Sequence, residues 1–174
     1  MEMQYYKTVS QCPYKEAVKD FLVMADREFI PPLSSRGSST QADLAAQSST
    51  DGITDYFESM SSQPIIVAVE DGCCLGFMAF KLDHTCEQIG QDTIPNLYAS
   101  TCVVHPDTRG RGLMRSFYET MIGLYPSRNL YTRTWHTNYA HLKVLGKLGF
   151  SEIARLPNHR GPGIDTVYFC RNGV

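Results

Sequence analysis

Apolar residues after Pro13 recur three and four positions apart: Tyr14, Ala17, Val18, Phe21, Leu22, Ala25 and Phe29. That spacing predicts an amphipathic helix, ended by Pro31 and Pro32. A strand-like stretch over Tyr5–Ser10 precedes it. Residues 34–50 are rich in Ser and Thr and poor in apolar residues, which predicts either a mobile loop or a loop with a short helix over Gln41–Ala46. Ile53, Tyr56, Phe57 and Met60 then share one face of a second helix over Asp51–Met60. The pattern changes to that of strands at Pro64. Pro64–Glu70, the turn signal Asp71-Gly72 and Cys74–Leu82 read as a hairpin. Asp83–Pro95 is a polar connection. Leu97–Val104 is almost continuously small or apolar, as a central strand buried on both faces must be.

A turn rich in Gly and charge, residues 105–112, leads into a helix over Leu113–Leu124. Leu113, Met114, Phe117, Tyr118, Met121 and Ile122 form its inward face, and Pro126 stops it. Leu130–Trp135 reads as a strand and Asn138–Leu148 as a helix closed by Gly149. Phe150–Leu156 and Thr166–Arg171 read as a last hairpin across a Pro/Gly-rich loop. No internal repeat divides the chain, so one domain over 1–174 is expected.

Composition narrows the classes. Among 174 residues, 16 basic against 18 acidic side chains leave a net charge of -2, which favours neither a nucleic acid nor an anionic membrane as partner. No apolar run is long enough for a membrane helix and the first residues have no signal pattern, so a cytoplasmic location is expected. The six cysteines show no metal-ligand spacing, so reduced thiols and no metal are expected.

The segment with chemical content is Val103–Arg115. A buried strand ends at Val104, turns through Pro106, and presents successive backbone N–H groups at Arg109, Gly110, Arg111 and Gly112 where a helix begins. The first N–H groups of a helix lack internal partners and carry partial positive charge, which makes a cradle for a pyrophosphate. Gly110 and Gly112 let the backbone approach phosphates closely, and Arg109 and Arg111 can add charge-assisted hydrogen bonds. No Gly-Lys-Ser/Thr follows, and the third Gly of a dinucleotide fingerprint is absent.

Arg109-x-x-Gly112, with Val104-x-Pro106 before it and an amphipathic helix after it, resembles the coenzyme-A signature of the GNAT superfamily of N-acetyltransferases. Asn138, eleven residues before Gly149-Phe150, resembles that family's Asn-to-Gly-Phe helix. The resemblance implies an α/β (α+β) fold: a mixed, mostly antiparallel, twisted sheet of six to seven strands with about four helices. The sheet would splay between the fourth and fifth strands, Leu97–Val104 and Leu130–Trp135. It implies acetyl-CoA as cosubstrate, with the pantetheine along Cys102, Val103 and Val104. The pyrophosphate would lie on Gly110 to Arg115, a stretch including Leu113 and Met114, and Asn138 would touch the pantetheine. The acetyl group would pass directly to an amine.

Three positions depart from the family pattern. Met114 stands where Gly or Ala is usual, Leu145 where many members have a general-acid Tyr, and Arg133 where some have a base Glu. His136 and His141, flanking Asn138, are then the candidate proton acceptors; Tyr139 is a weaker substitute for the acid, and Cys102 for a covalent intermediate. Asp165, Asp55 and Glu58 could attract a cationic amine, while Arg36, Arg133 or Arg160 could hold a carboxylate. The expected acceptor is a small-molecule amine, an amino acid or polyamine-like compound. The alternatives are a protein or peptide acceptor and a coenzyme-binding module with little catalysis. A homodimer is compatible with all three.

Overall fold

The computed structural model describes residues 1–174. Seven strands form one sheet in the order β1-β2-β3-β4-β5-β7-β6. They are β1 (Glu2–Tyr6), β2 (Ile65–Glu70), β3 (Cys73–Leu82), β4 (Asn96–Val104), β5 (Asn129–Trp135), β6 (Ser151–Leu156) and β7 (Thr166–Arg171). Four helices cover it: α1 (Lys15–Ala25), α2 (Ile53–Ser59), α3 (Leu113–Leu124) and α4 (Tyr139–Lys147).

Strand β2 shows how one short run serves both faces. Ile65, Val67 and Val69 pack with Val18, Phe21 and Leu22 of α1, and with Tyr56 of α2. The alternate residues Ile66 and Ala68 pack with Leu113, Phe117 and Met121 of α3 and Leu145 of α4. Successive strand side chains point to opposite faces, so a strand buried on both sides must be apolar throughout. A third cluster, Ile89, Tyr98, Tyr131 and Tyr168, lies across β4, β5 and β7. The β2–β3 turn is as its sequence demands: Asp71 and Gly72 both have positive φ, 51° and 77°, the geometry that tight hairpins favour.

Every neighbouring pair of strands is antiparallel except β4 and β5, which run parallel. That pair is also short. Asn96–Ala99 align with Asn129–Thr132, and the pairing stops there. Beyond it, Thr101–Val104 stay paired with β3 while Arg133–Trp135 stay paired with β7. The sheet therefore opens as a V between β4 and β5, and α3 starts just past its β4 arm.

Two elements differ from expectation. The first strand ends at Tyr6, and the apolar Val9 lies in a single 3-10 turn started by Thr8, whose hydroxyl accepts the Gln11 N–H at 3.3 Å. Val9 is buried in the core, which is why its apolar neighbourhood resembled a strand. No helix forms over Gln41–Ala46. There the Gln41 amide staples the loop from within: its oxygen accepts the Gly37 N–H at 2.8 Å and its nitrogen donates to the Asp43 and Ala46 carbonyls. Local side-chain bonds of this kind compete directly with helix formation.

Candidate active site

A cleft of about 620 Å3 follows the opening between β4 and β5. One end lies at the start of α3. Gly110 and Gly112 have φ of +79° and +80°, which β-branched side chains tolerate poorly, and no atom lies within 4 Å of where a Cβ would stand. The first bond of α3 runs from the Ser116 N–H to the Gly112 carbonyl. The N–H groups of residues 110–115 thus find no acceptor within the protein and are available to a pyrophosphate. This stretch fits the coenzyme through its backbone.

The signature arginines are engaged elsewhere. Arg109 donates to both Glu28 carboxylate oxygens, at 2.8 and 2.9 Å, and to the Val104 carbonyl at 3.3 Å. Arg111 forks onto Glu70 at 2.7 and 3.1 Å and does not line the cleft. Arg115 pairs with Glu119 one helical turn on. Leu113 is buried beneath the turn, and Met114 lines the cleft with its side chain against the α3 side of the core. Cys102, Val103 and Val104 form the β4 wall. Burial pushes the Cys102 thiol up to about 12, so it stays protonated and is a poor nucleophile. Asn138 caps α4: its oxygen accepts the His141 N–H at 3.4 Å and its amide donates to the Thr134 hydroxyl at 3.1 Å, which fixes it on the β5 wall.

The two histidines are placed differently. His136 lies outside the cleft, where Nδ1 accepts the Asp165 backbone N–H at 3.0 Å. His141 lines the cleft and is buried, with Nε2 at 2.8 Å from the Tyr118 hydroxyl. Burial pushes it down to about 4, aided by the Arg160 charge, so it is neutral near pH 7. Tyr118 was legible only as an inward residue of α3. Its functional signal was the hydroxyl itself, because a buried phenol needs a partner. Leu145 is wholly buried in the core and does not line the cleft, and Tyr139 points into solvent at 73% exposure.

On the α1–α2 face the cleft ends against Phe29, Trp135 and Arg133. Arg133 also lines a second cavity of about 260 Å3, with His84, Tyr98, His159 and Tyr168. Of the acidic candidates, Glu58 is exposed on α2 and Asp165 accepts the Asn158 N–H and pairs with Arg155. Neither reaches the cleft, and the one carboxylate that lines it is Glu28, which carried no sequence signal.

The profile of the acetyltransferase (GNAT) family matches residues 32–150. No curated protein sequence matches the chain. Among solved structures, the ribosomal-protein-alanine N-acetyltransferase of Brucella melitensis is 15% identical, covers 99% of both chains and superposes with a TM-score of 0.66. The yncA protein of Salmonella typhimurium, provisionally named an acetyltransferase and solved with its cofactor acetyl-CoA, is 17% identical over 99% of this chain and 94% of its own, with a TM-score of 0.64. An N-acetyltransferase of Staphylococcus aureus Mu50 is 18% identical over 99% of both chains, also at 0.64. At such identities the neighbours establish the fold. The family profile covers more than half of the sequence, including the strand, turn and helix that build the cradle, and the chain therefore belongs to the GNAT family as an acetyl-CoA-dependent acetyltransferase.

Proposed function

We propose that this acetyltransferase acts on the primary amine of a small molecule, by direct attack in a ternary complex. The observation that carries this reading is the closure of the acceptor end of the cleft. Three contacts tie the segment after α1 to β5 and to the β6–β7 loop. Arg133 donates to the Gln41 carbonyl at 2.6 Å, Arg160 to the Ile30 carbonyl at 2.7 Å, and His159 Nε2 lies 2.7 Å from the Ala42 carbonyl. A peptide would need a long groove there, whereas a small amine needs only the space beside Phe29, Trp135 and Arg133.

The chemistry asks little of the side chains. A neutral amine attacks the thioester carbonyl, the carbon–sulfur bond breaks, and the thiolate leaves. The amine's extra proton passes to solvent or to the leaving sulfur. Holding the two reactants together can supply up to about 7–11 kcal/mol. The cleft holds one buried phenol, Tyr118, and burial raises its pKa, so it remains a protonated donor. We assign it the role left open at Leu145, donating to the departing sulfur, with His141 holding its hydroxyl in place.

A thiol-release screen with acetyl-CoA across amino acids, alkylamines, aminoglycosides and peptides tests the reading. A small amine should be turned over, and free peptide N-termini should lag at least about tenfold. Peptides as the better substrates would overturn it.

A further inference from the structure

Arg36, Arg133 and Arg160 come from the loop after α1, from β5 and from the β6–β7 loop, and they converge at the acceptor end of the cleft. Arg36 and Arg160 are only 5% and 7% exposed. A buried cation ordinarily has a carboxylate partner, yet none of the three takes part in any of the ion pairs of the protein. Asp26 is the carboxylate facing Arg36, and its oxygens are taken by the Ser34 N–H and hydroxyl at 2.7 and 2.9 Å.

The three guanidiniums instead use neutral partners. Arg36 donates twice to the Pro31 carbonyl, Arg133 to the Gln41 carbonyl and the Tyr168 hydroxyl, and Arg160 to the Ile30 carbonyl and the Thr166 hydroxyl. Two also lie over aromatic rings: Arg36 on Phe29 at 5.8 Å and Arg160 on Trp135 at 5.4 Å, and those rings sit 5.9 Å apart on the cleft wall. Each cation keeps one nitrogen without a protein acceptor: Nη1 of Arg36, Nε of Arg133 and Nη2 of Arg160. None of these is sealed from solvent, because Asn96 Oδ1 alone is both buried and unpartnered. Arg133 lines the cleft itself, while Arg36 and Arg160 stand behind its Phe29 and Trp135 wall, so the cluster concentrates positive charge at that end of the cleft.

We propose that the acceptor amine carries an oxyanion group, a carboxylate or a phosphorus oxyanion, which docks against Arg133, with the charges of Arg36 and Arg160 behind the cleft wall adding to the attraction. The inference rests on the small-molecule reading above and sharpens it. Guanidinium forks match such groups in geometry as well as charge. A polyamine would meet three like charges and is excluded by the same cluster.

The test compares matched amines in the thiol-release assay: 4-aminobutyrate, 3-aminopropylphosphonate and butylamine, a panel of α-amino acids beside their amides, and spermidine. Acid-bearing amines should exceed their neutral counterparts by about 100-fold in kcat/KM, as expected for two charge-assisted hydrogen bonds. The carboxylate and phosphonate arms tell the two oxyanions apart. Parity between acid and neutral amines, or a preference for spermidine, overturns the proposal. Arg133→Gln should reduce the acid preference to within about tenfold while acetyl-CoA still raises the melting midpoint; an unchanged preference counts against it. If that variant does not fold, the wild-type contrast decides alone. If no amine releases thiol, the small-molecule transfer reading fails, and the oxyanion site is judged by melting in the presence of coenzyme A. Acids but not their amides must then raise the midpoint, and no rise with any acid overturns the site as well.

Discussion

At the coenzyme end of the cleft, residues 102–115 supply the wall, the turn and the N–H cradle in one unbroken stretch. At the other end, Phe29, Arg133 and Trp135 on the lining, with Arg36 and Arg160 behind them, come from three separate stretches of chain, residues 29–36, 133–135 and 160. The first end offers backbone geometry that would hold a pyrophosphate, with glycines at fixed spacing and Met114 nearby. The second works through side chains that only the completed fold brings together.

The sharpest way to break this comparison is Gly112→Val. Valine at φ +80° is strained, by roughly 1–2 kcal/mol in the left-handed region, and its branched side chain would fill the space a phosphate needs. Acetyl-CoA at 100 times its dissociation constant should stabilise the wild type by about 2.7 kcal/mol. The folded variant should show no such gain, an affinity loss of at least about 100-fold. Undiminished stabilisation would move the cradle elsewhere.

Tyr118→Phe probes the floor between the two ends. If the phenol donates a proton to the leaving sulfur, kcat should fall by about 100-fold, the low end for general acid catalysis, with acetyl-CoA binding intact. The same change leaves His141 Nε2 without its partner, a cost of about 1–3 kcal/mol in stability. A destabilised variant with normal kcat would mean that Tyr118 only supports the fold.

His141 also sets a pH dependence. Its folded pKa, about 4, lies below the unfolded value near 6.5. Between those values the unfolded chain binds a proton that the folded chain refuses. The stability from burying the neutral ring is complete above pH 6.5 and is lost as pH falls toward 4, by about 3 kcal/mol. Melting curves from pH 7 to 4 should show the gap between wild type and His141→Gln narrowing as pH falls; a constant gap would place the titration elsewhere.

Trp135→Leu addresses the acceptor end alone. It removes the wall shared with Phe29 and the ring under Arg160. The acceptor KM should rise about tenfold, since cation–π contacts contribute about 0.5–2 kcal/mol, while stabilisation by acetyl-CoA stays unchanged. A loss of coenzyme binding would mean that the Trp135 wall also serves the coenzyme end.

The same division explains what could be read from the chain. The Asp71-Gly72 hairpin, the β4–α3 turn and the helix from Asn138 to Gly149 are local patterns, and each is found in the fold. Arg133 was visible as a missing glutamate and as one of three arginines that could hold a carboxylate, but its partners Gln41 and Tyr168 lie far away in sequence. Whether residues 34–50 held a short helix stayed open in the sequence, because their bonds run through the Gln41 side chain, which no hydrophobic period reports. His136 lies two residues before Asn138 and His141 three after it, yet the end of β5 leaves the first on Asp165 and α4 turns the second into the cleft.

The smallest effect is expected at an ion pair that joins the two ends. Glu28 follows α1 on the acceptor side, Arg109 belongs to the coenzyme turn, and their ion pair spans the cleft with both residues on its lining. Both side chains are close to half exposed, so the pair itself contributes little, about 0–1 kcal/mol. Its consequence is competition: the diphosphate must share Arg109 with Glu28 and must approach a carboxylate. Glu28→Gln keeps the shape and removes the charge. Acetyl-CoA should then bind about two- to fivefold more tightly at low salt. The gain should vanish near 1 M salt, where the screening length shrinks to about 3 Å. Weaker binding by the variant would mean that Glu28 holds Arg109 in its productive pose. A third result would be more informative still. If coenzyme affinity is intact but kcat falls for every amine, Glu28, the one carboxylate in the cleft, accepts the proton from the attacking amine, and the contact that joins the two ends would be part of the chemistry.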